Sequence, residues 1–186
     1  MVELARILAL LAFLALAIAV VVFARRLSRA VTETRSRQTF RRAAGDIVGR
    51  ACTSLDGVAT RIDSVRRQTL DAHLVTDNIE AASEAVRRYT EEAEALAVSS
   101  AEAREVRDGI LTELKRADRA LQLAEHGVTI LTSVARLRGR ELEAQTSIKR
   151  GYLGLLHARE ALMRHSARAD ELVNVAQPQW FARRNV

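Results

Sequence analysis

Residues 110–135 read ILTELKRADRALQLAEHGVTILTSVA. Within them Ile110, Leu114, Ala117, Leu121, Ala124, Val128, Leu131 and Ala135 recur at steps of three and four. A helix of 3.6 residues per turn gathers such positions into one stripe, whereas a half-buried strand would need strict alternation. The segment predicts a long helix with one buried face.

Upstream the same rhythm recurs twice. Leu55, Val58, Ile62 and Val65 form one stripe, and Ile79, Ala82, Val86, Tyr89, Ala93 and Leu96 form another that is out of phase with it. Carrying the first phase forward would put Thr69, Ala72 and Thr76 on the seam, so a bend or short turn is expected near residues 74–77. Asp77 and Glu80 have capping-box spacing, and Ser99 with Glu102 marks a second helix start. Downstream, Gly139 within Arg138-Gly139-Arg140-Glu141 is the expected break before a last helix. That helix carries Leu142, Ile148, Tyr152, Leu155, Leu162 and Val173, and Pro178 ends it.

Composition agrees with helix. The 186 residues include one proline and eight glycines, and aromatic residues are 4% of the total. Ala, Leu, Arg and Glu, which lose little entropy in a helix, dominate. The expected fold is all-α: an antiparallel, coiled-coil-like bundle of three or four long helices, the number depending on whether residues 46–98 bend or reverse. Alanine occupies many seam positions, so helices should lie close together with modest hydrophobic stabilisation. Exchanging Leu for Ala along a seam removes ~2 kcal/mol or more per position. Self-association or a helical protein partner is therefore expected.

Ahead of the bundle, Ile7–Ala24 reads ILALLAFLALAIAVVVFA, without a charged or polar side chain. As a helix it spans roughly 27 Å, close to the hydrocarbon thickness of a bilayer. A single transmembrane helix is expected here. Ala17-Ile18-Ala19 also has the small-x-small form of a cleavage site, but cleavage would leave Val20-Val21-Val22-Phe23 at the new N-terminus.

Charge is concentrated next to this segment. Arg25, Arg26, Arg29, Arg35, Arg37, Arg41 and Arg42 stand against Glu33 alone, which accounts for the whole formal charge of +6. Such a flank places the long C-terminal region on the cytoplasmic side of the cell membrane and sets these arginines beside lipid headgroups. The export reading would place it in the envelope instead. A nucleic-acid binder would keep its positive charge on the folded domain, often with aromatics to stack on bases, so no nucleic-acid partner is expected. The organisation is then 1–24 anchor, 25–45 basic juxtamembrane helix or linker, 46–176 helical bundle, and 177–186 tail. Arginine outnumbers lysine 27 to 2, which points to a GC-rich genome and says nothing of mechanism.

Chemistry-bearing patterns are sparse. His157 and Glu160 stand three apart on the last helix, but no HExxH or second Glu-x-x-His accompanies them, and a surface pair is the simpler reading. Glu91, Glu92 and Glu94 lack the glycine turn and alternating ligands of a calcium loop. Gly45, Gly49 and Gly57 have no following Lys-Ser or Lys-Thr, so they form no phosphate loop. Cys52, the only cysteine, reads as a small apolar helix residue. No catalytic, cofactor-binding or metal-binding residues are assigned, no small-molecule substrate is evident, and an enzyme is not expected. The tail, QPQWFARRNV, carries Trp180, Phe181, Arg183 and Arg184, which suit a membrane interface or a partner's groove unless the aromatics close the bundle end.

Two functional classes fit. One is a membrane-tethered helical scaffold that recruits or organises proteins. The other is a signalling component in which anchor movement passes through residues 25–42 into the bundle, with the phase change at 66–77 as the switchable element. An exported envelope spacer is the variant of the first if the apolar segment is a cleaved signal.

Overall fold

The computed structural model describes residues 2–133 and 139–174, with side chains described at 20–23, 25, 32–133 and 139–172. The described residues form four helices: α1 (Val2–Arg66), α2 (Thr76–Glu94), α3 (Ala101–Thr132) and α4 (Glu141–Asn174). A single 3₁₀ turn, Ala72–Val75, precedes α2, and no strand occurs among the described residues. The all-α bundle expected from the stripes is present, and residues 46–98 reverse rather than bend.

Helices adjacent in sequence pack as neighbours, and α4 returns to pack on α1. The α3–α4 contact is the most extensive and α1–α4 the next. α1 touches α3 only lightly, and α2 and α4 do not touch among the described residues, so these two pairs are the diagonals of a four-helix ring. The core begins on α1 at Phe40 and continues through Ala44, Ile47, Ala51, Leu55 and Ile62 to Val65. The expected stripes are buried at Ile79, Ala82, Val86 and Ala93 on α2, and at Ile110, Leu114, Ala117, Leu121, Ala124 and Val128 on α3.

The first reversal lies earlier than expected, over residues 67–75. α1 ends with Gln68 in the left-handed region, φ 61°. The Gln68 amide donates to the Val65 carbonyl and the Thr69 amide to the Ser64 carbonyl, both at 2.9 Å, which together form a Schellman closure. Asp71 then caps the 3₁₀ turn by accepting from the His73 amide at 3.0 Å, and Val75 is fully buried beneath it. Because α2 continues directly from that turn, the residue before it is Val75, with no capping side chain. The Asp77–Glu80 capping box is thus not formed. Asp77 instead stands in the first turn of α2, where its charge complements the helix dipole.

The start of α3 is displaced by one residue. Ser100, not Ser99, is the cap, and its hydroxyl accepts from the Ala103 amide at 3.1 Å. With Ser100 as the cap, Glu102 stands at the second helical position rather than the third, where the expected capping box would have put it. Its carboxyl lies below the usual range because it accepts from its own backbone amide and from the Ser100 hydroxyl. Gly139 has φ 105° and α4 begins two residues later, as the Gly139 break requires. On α4 the seam runs through Ala144, Ile148, Leu155, Ala158 and Leu162, with Tyr152 half-buried. Leu142 departs from expectation: it is 75% exposed, because the first turn of α4 carries it away from the seam that Ala144 begins.

Candidate functional site

The end of the bundle at which α1 enters gathers the charged groups that sequence singled out. Arg25, Arg35 and Arg42 are exposed, while the side chains of Arg26 and Arg29 lie outside the described residues. Arg37 and Arg41 are drawn into the bundle instead. Arg37 pairs with Glu33 at 2.6 Å and lines a cleft with Ser100, Glu102, Val106, Arg168 and Leu172. Arg41 reaches Asp170 of α4 at 3.5 Å. Of the seven arginines, Arg41 thus ties α1 to the end of α4, while Arg37 pairs within α1 and lines the cleft beside α3 and α4.

Cross-helix polar contacts set the register of the ring. Arg50 of α1 binds Glu92 of α2 at 2.5 Å and lies 5.2 Å over the Tyr89 ring. The bound guanidinium holds the Glu92 carboxyl below the usual range. Arg159 of α4 meets Asp56 of α1 at 2.8 Å, and Arg66 lies 5.6 Å over the Tyr152 ring. His126 of α3 approaches Glu143 at 3.4 Å, where Arg140 and then His126 pull the Glu143 carboxyl down to about 2. These pairs are solvent-facing, so each orients helices more than it stabilises them.

The close helix spacing expected from the alanine-rich seams is found between α3 and α4, at glycines that the sequence reading did not single out. A Cβ on Gly127 would stand 2.7 Å from the Ala144 carbonyl oxygen. One on Gly151 would stand 2.7 Å from the Ala120 carbonyl oxygen, and one on Gly154 2.8 Å from the Ala120 Cβ. The signal was the ladder Ala117, Ala120, Ala124 and Gly127 facing Gly151, Gly154, Ala158 and Ala161, which a count of large apolar residues passes over. At Gly109 the space is taken by the His165 ring. His165 Nδ1 is buried without a hydrogen-bond partner, and nearby Glu113 is only 7% exposed, paired with Arg116 at 2.9 Å.

The outer face of α1 is open by contrast. Nothing lies within 4 Å of the Cβ positions of Gly45, Gly49 and Gly57. Thr53 and Thr60 on the same helix turn their hydroxyls back to the carbonyls of Gly49 and Asp56. Cys52 is half-buried, with its Sγ 3.9 Å from the Arg159 carbonyl, and burial pushes its thiol pKa up. That opposes thiolate formation. His157 is exposed, and Glu160 pairs with Arg164 at 2.8 Å. Among the described residues no group of three or more His, Cys, Asp or Glu is placed to hold a metal ion. The far end of the bundle holds a cleft lined by Val65, Leu70, Ala72, Ile130 and Leu131, with Asp71 and Glu141 beside them.

Trp180, Phe181, Arg183 and Arg184 lie outside the described residues. Among the described residues no helix is long and apolar enough to cross a membrane; of the expected span Ile7–Ala24, the side chains of residues 7–19 and 24 lie outside the described residues. Val20, Val21, Val22 and Phe23, the end of the apolar run, are exposed on α1. No family model, curated protein or solved structure matches the chain.

Proposed function

We propose that this chain is a single-pass membrane-anchored helical scaffold, which holds a four-helix bundle at the cytoplasmic face of a bilayer and binds protein partners or further copies of itself. It performs no catalysis in this reading. The observation that supports it is the continuity of α1: one helix, Val2–Arg66, contains the apolar run Ile7–Ala24, the arginine cluster and the core positions Phe40–Val65. Anchor and bundle are joined without a flexible linker, which suits a module that presents its surface at a set height above the headgroups.

Continuity also favours the second reading, a relay, because a helix transmits rotation or displacement of its membrane end. The switchable element differs from the one the phases suggested, however. Residues 66–77 form a closed reversal between two helices rather than a phase change within one.

The test uses the full chain in cells, with Cys52→Ala and Thr60→Cys, since Thr60 is exposed on α1. Retention of the chain in carbonate-washed membranes, with Thr60→Cys reacting with an impermeant maleimide only after lysis, is the expected result. Release by carbonate overturns the anchor, and labelling of intact cells overturns the cytoplasmic assignment in favour of the envelope. Sedimentation as a monomer in detergent at micromolar concentration counts against self-association.

A further inference from the structure

α4 carries two apolar stripes. One is the seam that begins at Ala144 and runs through Ile148, Leu155 and Leu162 into the core. The other faces away from the ring and carries Leu142, Leu153, Leu156 and Met163. Among the described residues beyond Phe23 five large apolar side chains are exposed, and Leu142, Leu153 and Met163 are three of them, at 75%, 42% and 54%. Leu156 between them is half-buried. With Thr146, Lys149, Glu160 and Ala167 they recur at alternating steps of four and three over residues 142–167, the spacing of a coiled-coil seam. A helix that packs in one ring needs a single apolar stripe. The second has no partner among the described residues.

Its two charged members select the occupant. Lys149 and Glu160 are exposed and lie at equal distances on either side of the middle of the stripe. Glu160 holds only Arg164 of its own exposed turn, at 2.8 Å, a weak contact in water. Lay a second copy of α4 antiparallel on the stripe, and Lys149 meets the partner's Glu160. In the same register Leu153 meets the partner's Leu156, Leu142 the partner's Ala167, and Thr146 the partner's Met163. Two-fold symmetry makes each of these contacts twice. The Thr146 hydroxyl is already turned back to the Leu142 carbonyl at 2.7 Å, so it brings no unsatisfied donor to the seam. A parallel pair would instead set lysine on lysine and glutamate on glutamate, which like-charge repulsion opposes. The stripe is therefore complementary to itself in one direction only.

We infer that α4 pairs antiparallel with α4 of a second copy of this chain through residues 142–167, with Lys149 and Glu160 fixing the register. The inference names the surface for the self-association in the scaffold reading and rests on that part of it, not on the anchor. Asp170 near the end of α4 reaches Arg41 at 3.5 Å, so α4 finishes where α1 enters the bundle. An antiparallel pair thus sends its two α1 helices out at opposite ends. Anchored copies then stand in facing bilayers, and the pair joins them.

The test uses the full chain with Cys52→Ala, purified in detergent. Lys149→Cys and Glu160→Cys are prepared separately in that background and oxidised alone or as a mixture. The expected result is a disulfide dimer in the mixture and none in either variant alone, because like positions in the antiparallel register stand roughly 16 Å apart. Sedimentation supplies a second readout. Lys149→Glu should weaken the dimer on the order of tenfold or more, and Lys149→Glu/Glu160→Lys should restore it. Both sites are exposed, so the bundle should tolerate each change, which circular dichroism checks. Disulfides in each variant alone but not in the mixture overturn the inference in favour of a parallel pair. A dimer that ignores the reversals and forms no mixed disulfide keeps self-association and overturns the α4 seam. A monomer at micromolar concentration overturns both, and carbonate extraction judges the anchor separately.

Discussion

The carbonyl oxygen of Ala120 lies 2.7 Å from the point where Gly151 would carry a Cβ. α3 and α4 approach each other here as closely as two backbones can, and only glycine permits it. Gly151→Ala must part the helices or shift the seam, which costs about 1–3 kcal/mol and outweighs the roughly 1 kcal/mol gained in helix propensity. Gly49→Ala meets nothing within 4 Å and should stabilise by about 0.5–1 kcal/mol. Denaturant unfolding of both full-length variants, followed by circular dichroism, should move the midpoints in opposite directions. Movement in the same direction would show that the seam is not close-packed.

Gln68 takes the left-handed position at the end of α1, where a side chain costs roughly 1–2 kcal/mol. Gln68→Gly should recover about 0.5–1 kcal/mol, and Gln68→Val should lower stability further, since a β-branched side chain fits that region worst. Midpoints that do not follow the order Gly, Gln, Val would place the reversal elsewhere.

Ser100 and Ser99 are chemically identical neighbours, yet only Ser100 accepts a helix-terminal amide. Ser100→Ala should cost about 1 kcal/mol and Ser99→Ala close to nothing. Equal effects would restore the Ser99 cap.

Stability should fall as the medium is acidified below neutrality, and His165 is the reason. Burial against Gly109 lowers its pKa below 6.5, the nearby Arg168 and Arg164 act in the same direction, and Glu113 and Glu105 of α3 oppose them. The folded state thus binds fewer protons than the unfolded one. The stabilisation is full above the ordinary histidine pKa and is lost as pH falls through it toward the lower folded value. Melting temperatures measured from pH 7 to pH 5 should decline, and His165→Gln should flatten the slope. A slope unchanged in that variant would assign it to other groups.

Cys52 should react slowly. Burial raises its thiol pKa, so at pH 7 a maleimide should modify it well behind Thr60→Cys on the same helix. Equal rates would mean that α1 and α4 separate readily at Arg159.

The stripes were legible because a buried helix face leaves a 3.6-residue signature in large apolar residues. Ile62, Ile110, Leu121 and Leu155 all stand in the core as their spacing implied. The helix ends were less so. Several residues within reach can cap, and the choice between Ser99 and Ser100, or between Asp71 and Asp77, depends on where the turn packs. Burial of Val75 settles that for α2, and no local pattern announces it. Close spacing was legible in the alanine seam positions, but its place between α3 and α4 was not: Gly127 and Gly151 act through the absence of a side chain, which hydrophobic spacing does not register. At the bundle end, the pairing of Arg41 with Asp170 links residues far apart in sequence, and no reading of the arginine cluster alone could separate Arg41 from Arg42.

The most extensive partner of α1 after folding is α4 rather than its sequence neighbour α2. Closing that contact requires the two ends of the bundle to meet across the whole intervening chain, the slowest kind of pairing to form. During synthesis α1 is made first, and its Phe40–Val65 face stays half-covered until α4 emerges from the ribosome. The α3–α4 pairing, local and tightly seamed, is the one that short sequence separation favours forming early, with docking onto α1 expected later. On the anchored reading proposed above, a bilayer that received α1 early would hold one side of the bundle in place while translation delivered the side that completes it.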